Sequence, residues 1–223
     1  VVPITDEGEF RMDAYADMLD DSVKLVAVTH VSNVLGTITP AKKIVEMAHS
    51  VGAKVLFDGS QAVMHMSVDM QDLDCDFYAF TGHKLYGPSG IGILWGRKEL
   101  LDAMPPFMGG GDMIDTVSFE KVTFKAAPHR FEAGTPPIVQ AIGLGAAIDY
   151  VSEIGFDAIR AHEEALRDAA MARLAEIEGI QLIGTAPGKA AIMSFLLDGC
   201  HPYDVAAILD RAGVACRVGH HCA

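Results

Sequence analysis

The chain has 223 residues, half of them hydrophobic, which is enough for one large domain or somewhat more, with a substantial core. Its formal net charge of -13 argues against nucleic acid or an anionic membrane surface as a partner. We expect no transmembrane helix and no signal peptide, because the sequence has neither an apolar run of about 18 residues nor a basic start followed by an apolar stretch.

Strands and helices alternate along the first half of the chain. A helix is predicted to start at Thr39, which would cap it, and to end at Gly52, with Ile44, Ala48 and Val51 on its buried face. Short apolar runs predict buried strands at residues 24–29, 53–57, 76–80 and 91–95. This alternation predicts an α/β fold with a mostly parallel sheet flanked by helices.

Residues 105–135 are rich in proline and glycine and show little periodicity, which predicts a long functional or interface loop. Helices are then expected at residues 136–154 and 156–177. The first would bury Ile138, Ile142, Ala146 and Val151 on one face.

On the second of these helices, Glu163 and Arg167 have the spacing of an ion pair. The rest of the chain predicts strands at 180–183 and 191–197, a helix at 202–212 and a short strand at 214–217. We therefore expect a large domain at residues 1–154 and a small α/β domain at residues 155–223.

An acid and an amine follow two of the predicted strands: Asp58 after the second and Lys84 after the third. Open parallel sheets bind ligands at the carboxyl ends of their strands. A lysine there can form a Schiff base with an aldehyde, and an aspartate can keep a pyridine nitrogen protonated. The pair predicts pyridoxal 5'-phosphate (PLP) as cofactor. Taken singly, Lys84 could be a surface charge and Asp58 a turn residue.

Other polar residues near these strand ends are candidates for the same site. Gln61 and Asn33 could reach the ring hydroxyl of PLP, and Thr81 and Thr135 could contact its phosphate. His83, beside Lys84, could act as a general acid or base, or it could be a structural histidine.

Cys222 lies close to Arg217, His220 and His221, whose positive charge and hydrogen bonds favour a thiolate nucleophile. A small buried structural cysteine is the alternative. A metal site that includes Cys216 is a third interpretation, but the spacing matches no common zinc pattern, and we predict no metal. The four cysteines lack the spacing of a disulfide framework, which favours a reducing, cytoplasmic setting.

Several motifs occur in the same order as in one protein family: THVSNVLG (29–36), FDGSQAV (57–63), TGHKLYGP (81–88), RFEAGTP (130–136) and RVGHHCA (217–223). With them the chain resembles the cysteine desulfurases of the SUF iron–sulfur system, which are class V aminotransferases of PLP-dependent fold type I. The Gly-His-His-Cys ending is similar to the second group of these enzymes and to selenocysteine lyases.

The resemblance implies roles for the residues at the strand ends. Lys84 would hold PLP as a Schiff base and move the substrate α-proton, and Asp58 would pair with the pyridine nitrogen. Gln61 and Asn33 would hold the ring oxygen and the substrate side.

It also implies roles farther along the chain. Thr81 and His83 would bind the phosphate, and Thr135 would reach the phosphate of the neighbouring subunit in a homodimer. Arg217 would line the substrate site. Cys222 would take the sulfur of L-cysteine as a persulfide, leave alanine, and pass the sulfur to an acceptor protein for iron–sulfur cluster assembly.

The family also has a segment before the equivalent of Val1, with a histidine that stacks on the ring and a phosphate loop, and an arginine after Cys222. We expect this chain, which lacks an initiator methionine, to be a piece of a longer protein with both domains incomplete. The alternatives are a selenocysteine lyase, another fold type I enzyme such as a transaminase, and a non-catalytic fragment that binds a sulfur acceptor.

Overall fold

The computed structural model describes residues 1–221. Its main sheet has four strands, which lie side by side in chain order: β1 (Leu25–Thr29), β2 (Lys54–Asp58), β3 (Phe77–Thr81) and β4 (Gly92–Gly96). β1, β2 and β3 are parallel to one another, and β4 is antiparallel to β3. The antiparallel step follows from the short connection between β3 and β4, because a parallel crossover needs about a dozen residues or more. The predicted α/β fold with a mostly parallel sheet is confirmed.

Short helices connect these strands. The helices of the first half are α1 (Met12–Met18), α2 (Ala41–Ser50), α3 (Ala62–His65), α4 (Met70–Leu73) and α5 (Lys98–Ala103). A 3-10 helix at Gly82–Leu85 follows β3 directly.

One face of the sheet is covered by α2, whose Ile44 and Ala48 are buried as predicted. Val51, the third residue of the predicted face, lies just after the last residue of the helix and is half-buried. Ile44 and Ala48 pack in one cluster with Val55, Phe57 and Tyr78 of β2 and β3. Because side chains alternate along a strand, the residues between these, including those at the very ends of β2 and β3, point to the opposite face. The ligand-binding candidates on these strands therefore lie on the face away from α2.

Thr39 does not cap α2, contrary to the prediction. The helix begins at Ala41 after Pro40, without a side-chain cap. The Thr39 hydroxyl instead lies 3.0 Å from the carbonyl oxygen of Thr29 and 3.2 Å from that of His30. It thereby ties the start of the helix segment to the end of β1, a tertiary contact that a local capping pattern does not reveal.

The second half contains two long helices and a small sheet. The elements are α6 (Ile138–Ile154), α7 (Phe156–Ala175), β7 (Ile180–Ile183), β8 (Ser194–Leu197) and α8 (Pro202–Arg211). α6 and α7 are bent by 75° relative to each other at Gly155, and β7 and β8 form an antiparallel pair. Within residues 1–221, no single helix is long and apolar enough to cross a membrane, although α6 and α7 meet that test as a bent pair.

The buried face of α6 differs from the predicted one. Val151 is buried as predicted, together with Leu144 and Ala147, whereas Ile138, Ile142 and Ala146 are exposed. The helix is apolar on several faces, so periodicity alone does not select the face that packs. The selection comes from a tertiary contact, since Leu144 and Val151 pack with Leu85 of the 3-10 helix.

Two further expectations need correction. Residues 105–135, predicted as a loop, include a short antiparallel hairpin of β5 (Ile114–Val117) and β6 (Val122–Phe124) and a 3-10 helix at His129–Phe131. The strand predicted at residues 214–217 is wrong, because this segment is irregular. A short apolar run becomes a strand only where a neighbouring strand can pair with its backbone groups.

A cluster of three rings lies beneath the carboxyl ends of the strands. The rings of His30 and Phe57 are 5.4 Å apart, and those of His30 and Tyr78 are 5.8 Å apart with an edge-to-face geometry. His30 Nδ1 and the Tyr78 hydroxyl are hydrogen-bonded at 2.9 Å. Burial lowers the pKa of His30 to about 4 and raises that of Tyr78, so both side chains are uncharged at neutral pH.

Gly59 lies directly against this cluster. Its amide donates a hydrogen bond of 2.7 Å to the carbonyl oxygen of Ala79, which holds the turn after β2 onto β3. A Cβ atom at Gly59 would lie 2.0 Å from a ring carbon of Tyr78. The turn that follows Asp58 therefore requires glycine for steric reasons.

We expect Gly59→Ala to lower the free energy of unfolding by about 1–3 kcal/mol, because the new methyl group overlaps the Tyr78 ring and forces it to move. Urea unfolding followed by circular dichroism measures this change. The control is Gly145→Ala in α6, where a Cβ would meet no heavy atom within 4 Å. Equal stability of the two variants would contradict this close packing.

We expect the free energy of unfolding to fall as the pH is lowered from about 6.5 to about 4. In this range His30 is protonated in the unfolded chain but stays neutral in the folded protein, where it is buried. The contribution of neutral His30 to the free energy of unfolding is fully present above pH 6.5. Between the two pKa values, the free energy of unfolding changes by up to about 1.4 kcal/mol per pH unit. The test is to measure the free energy of unfolding across this pH range for His30→Gln and for a control variant, His162→Gln, which changes an exposed histidine. An identical pH dependence of the two variants would show that His30 does not contribute.

Candidate active site

The carboxyl ends of β1, β2 and β3 lie together because the three strands are parallel. In the pairing register, Thr29 is the partner of Asp58, and Asp58 is the partner of Ala79. We call this side of the sheet the carboxyl edge. Six of the residues predicted for the site lie at the ends of these strands or in the segments that follow them: Asn33, Asp58, Gln61, Thr81, His83 and Lys84.

Asp58 is the last residue of β2, and its side chain is exposed. One carboxylate oxygen, Oδ1, accepts a hydrogen bond of 2.9 Å from the amide of Ser60. The turn role considered for this residue is therefore present. A carboxylate has a second oxygen, so the turn and a charge interaction with a ligand are compatible.

The backbone around Asp58 is fixed from both sides. The amide of His30 donates to the carbonyl oxygen of Asp58 at 2.9 Å, and the neighbouring amide of Gly59 bonds to β3. The carboxylate thus stands on a backbone held by both adjacent strands. Such anchoring limits the positions that the carboxylate can adopt.

Lys84 lies in the 3-10 helix after β3 and is half-buried. The amide of Gly82 donates to the carbonyl oxygen of Ile91 at 2.9 Å, and the amide of Gly87 donates to that of Gly82 at 3.0 Å. A Cβ at Gly82 would lie 2.7 Å from Cγ2 of Ile91. With Leu85 buried beneath α6, the turn that carries Lys84 is held by both β4 and the second half of the chain.

His83 and Thr81 form a pair at the same strand end. The Nδ1 atom of His83 and the hydroxyl oxygen of Thr81 are 2.8 Å apart. His83 is exposed, so a structural role for this histidine would rest on its local bond to Thr81. A hydroxyl and an imidazole are both able to donate hydrogen bonds to phosphate oxygens.

Gln61 precedes α3 and is half-buried. At the other end of this helix, His65 Nδ1 lies 2.8 Å from Glu163 Oε2 on α7. Glu163 therefore does not form the predicted pair within α7, and Arg167 binds Asp168 at 2.8 Å instead. Spacing along one helix does not reveal a partner on another element.

Asn33 connects the carboxyl edge to the end of the described chain. Its side-chain amide Nδ2 donates a hydrogen bond to the backbone carbonyl of His221. The segment that leads to Cys222 therefore returns to the loop after β1. Cys222 itself lies outside the described residues.

Thr135 and Arg217 come from other elements. Thr135 is exposed just before α6, beside Gly134, whose amide donates to the carbonyl oxygen of Gly111 at 2.8 Å. Arg217 is exposed in the irregular segment after α8. The backbone contact beside Thr135 is made to Gly111 and not to a strand end.

Sequence reasoning missed two residues that support the site from below, His30 and Tyr78. Their roles depend on a hydrogen bond between residues that are 48 positions apart. The alternation of burial along β3 could have identified Tyr78 as an inward-facing residue, but its partner could not have been read from the pattern.

The groups at the carboxyl edge suit a PLP molecule. They offer an amine on a doubly anchored turn, a carboxylate on a neighbouring strand end, and a hydroxyl–imidazole pair beside the amine. Among residues 1–221, by contrast, no group of three or more His, Cys, Asp or Glu side chains could hold a metal ion.

Known proteins resemble this chain in sequence and in fold. The chain is 55% identical over 223 residues to a cysteine desulfurase of Synechococcus elongatus, and this match covers all of the chain and 36% of that protein. It superposes with a TM-score of 0.93 on the apo structure of a cysteine desulfurase from Thermococcus onnurineus, at 40% identity, covering 100% of this chain and 56% of that one.

A second solved structure gives the same result. The cysteine desulfurase CsdA (S-sulfonic acid) from Escherichia coli matches with a TM-score of 0.93 and 35% identity, over 99% of this chain and 55% of that chain. The chain therefore spans about half the length of these solved relatives. It spans 36% of the length of the Synechococcus elongatus protein.

The family comparison covers the entire sequence. The aminotransferase class-V family matches residues 1–223. With the sheet order, the strand-end residues and these relatives in agreement, the chain belongs to the aminotransferase class-V family.

Proposed function

We propose that this protein is a PLP-dependent cysteine desulfurase, which converts L-cysteine to L-alanine and keeps the sulfur on Cys222. PLP is the cofactor characteristic of the family. The observation that carries the proposal is the hydrogen bond between Asn33 and the His221 carbonyl. It brings the segment adjacent to Cys222 to the edge that carries Lys84 and Asp58, and a transaminase would need no thiol there.

PLP, when bound, supplies an electron sink for the α-carbon of an amino acid. In the proposed site, Lys84 binds the cofactor and its Nζ atom moves the proton at the α-carbon of L-cysteine. Asp58 keeps the pyridine nitrogen protonated. Gln61 and Asn33 hold the ring oxygen and the side of the substrate.

The sulfur step is balanced without an external oxidant. The Cys222 thiolate attacks the sulfur of L-cysteine, so that a sulfur–sulfur bond forms and the carbon–sulfur bond breaks. The electron pair of the broken bond goes to the carbon, which takes a proton and becomes the methyl group of alanine. The enzyme is left with a persulfide on Cys222.

Further residues complete the proposal. Thr81 and His83 bind the phosphate, which their mutual contact supports. Thr135, exposed before α6, contacts the phosphate of the second subunit in a homodimer, and Arg217 lines the substrate site. The large domain of this arrangement comprises residues 1–154, and the small domain comprises residues 155–223.

The persulfide must pass to an acceptor, and we propose a sulfur-acceptor protein of SUF-type iron–sulfur cluster assembly. The Gly-His-His-Cys ending supports the second group of desulfurases. The same ending supports selenocysteine lyase activity as the second candidate, which turnover of the two substrates would separate. The free cysteines Cys75, Cys200 and Cys216 suit a cytoplasmic location.

We expect Lys84→Ala to abolish formation of alanine from L-cysteine, because both the attachment point of PLP and the base would be lost. Borohydride reduction followed by peptide mass spectrometry should fix PLP to Lys84 in the unchanged protein and not in the variant. The control is Lys98→Ala, which removes an exposed lysine of α5 that is paired with Asp102. Turnover retained by Lys84→Ala would overturn this assignment and favour a non-catalytic role for the lysine.

We expect Cys222→Ala to stop sulfide release and alanine formation while the PLP absorbance band is kept, because the variant loses only the thiol that takes the sulfur from L-cysteine. Spectra and turnover are measured side by side with Cys200→Ala, which changes an exposed cysteine. If the band disappeared as well, Cys222 would be structural and not a nucleophile.

A further inference from the structure

The loop that carries Asn33 is bound by the second half of the chain. We call residues 32–37, between β1 and α2, the Asn33 loop. The Ser194 hydroxyl, at the first position of β8, donates a hydrogen bond of 2.6 Å to the carbonyl oxygen of Val34. The amide of Ala190 donates to the carbonyl oxygen of Gly36 at 2.8 Å. Both bonds join residues more than 150 positions apart, so the small domain holds this loop.

The contact between the loop and the second half leaves no space for adjustment. A Cβ at Gly36, whose φ is +74°, would lie 2.9 Å from the carbonyl oxygen of Ala190. A Cβ at Gly184 would lie 2.8 Å from the Cα of Leu35. The two backbones thus approach each other at a distance that only glycine permits.

The supporting side is itself anchored. Lys189 is buried, and its ammonium group donates to the carbonyl oxygen of Gly184. Arg167 of α7 donates to the carbonyl oxygen of Lys189. The segment of residues 184–190 is therefore fixed to the longest helix of the second half and offers the loop a rigid support.

Within the Asn33 loop, local bonds set the shape of the turn but not its position. The Ser32 hydroxyl accepts hydrogen bonds from the amides of Val34 at 3.3 Å and Leu35 at 3.1 Å. These bonds would move with the loop as one unit. Other bonds relate this unit to the rest of the molecule. The Ser194 bond is made to the residue directly after Asn33, whereas the bonds with Ala190 and Gly8 are made farther along the loop, at Gly36 and Thr37.

We propose that Ser194 is a positioning residue for Asn33: its hydroxyl holds the Val34 carbonyl so that the Asn33 amide faces the His221 carbonyl and the carboxyl edge. This inference rests on the proposed function for its effect on substrate. The effect on the loop stands on the hydrogen bonds alone. Ser194 lies outside every motif that indicated the site.

The experiment uses Ser194→Ala and a matched control, Ser50→Ala. The Ser50 hydroxyl also donates to a backbone carbonyl, that of Met47 at 2.7 Å, but at the exposed end of α2. Hydrogen exchange of the cofactor-free protein is followed at the amides of the Asn33 loop. Loss of one net hydrogen bond should speed exchange there by about five-fold in Ser194→Ala, with α2 unchanged. Ser50→Ala should leave the loop as it is.

Turnover of the holoenzyme provides the second readout. Ser194→Ala should raise the KM for L-cysteine by about five-fold with kcat changed less than about two-fold, because the same bond energy is lost from the binding arrangement. Exchange in the Asn33 loop that stays at its original rate would overturn the inference. So would faster exchange spread evenly over the chain, since that indicates a general loss of stability.

The two proposals fail in different ways. If the unchanged protein does not turn over L-cysteine, the proposed function is wrong, and the exchange data still decide whether Ser194 positions the loop. If it turns over L-cysteine while Ser194→Ala keeps the original KM and loop exchange, only the inference about Ser194 is wrong.

Discussion

The parallel pairing of β1, β2 and β3 is the constraint on which the site depends. Because the strands run in one direction, all three carboxyl ends and the loops that follow them meet at one edge. Asp58 ends β2, and Lys84 follows the neighbouring strand β3. A change of direction in β2 or β3 would separate the acid from the amine, whatever the side chains were.

The edge is completed by contacts from the second half of the chain. Leu144 and Val151 of α6 support the turn of Lys84, Glu163 binds the helix after Gln61, and Ser194 holds the loop of Asn33. Each contact is made to a support of a candidate residue and not to the candidate itself. The second half thus controls the position of groups that the first half supplies.

The two ends of the main sheet differ in the charge of their buried side chains. Beneath the carboxyl edge, His30 and Tyr78 are buried and uncharged. At the opposite end of the sheet, burial alone would raise the pKa of Asp76, but hydrogen bonds from His49 and the amide of Val55 lower it. A buried carboxylate is acceptable there because it has these partners, whereas the neutral ring cluster needs no counterion.

The sequence by itself determined the alternation of strands and helices, and its motifs predicted the residues that follow the strand ends, since both depend on local order and spacing. Only the tertiary structure decided which face of α6 is buried, that Thr39 binds strand carbonyls, and that Glu163 pairs with His65. These outcomes depend on groups brought together from distant positions. A local pattern limits which residues can form such contacts, but packing selects among them.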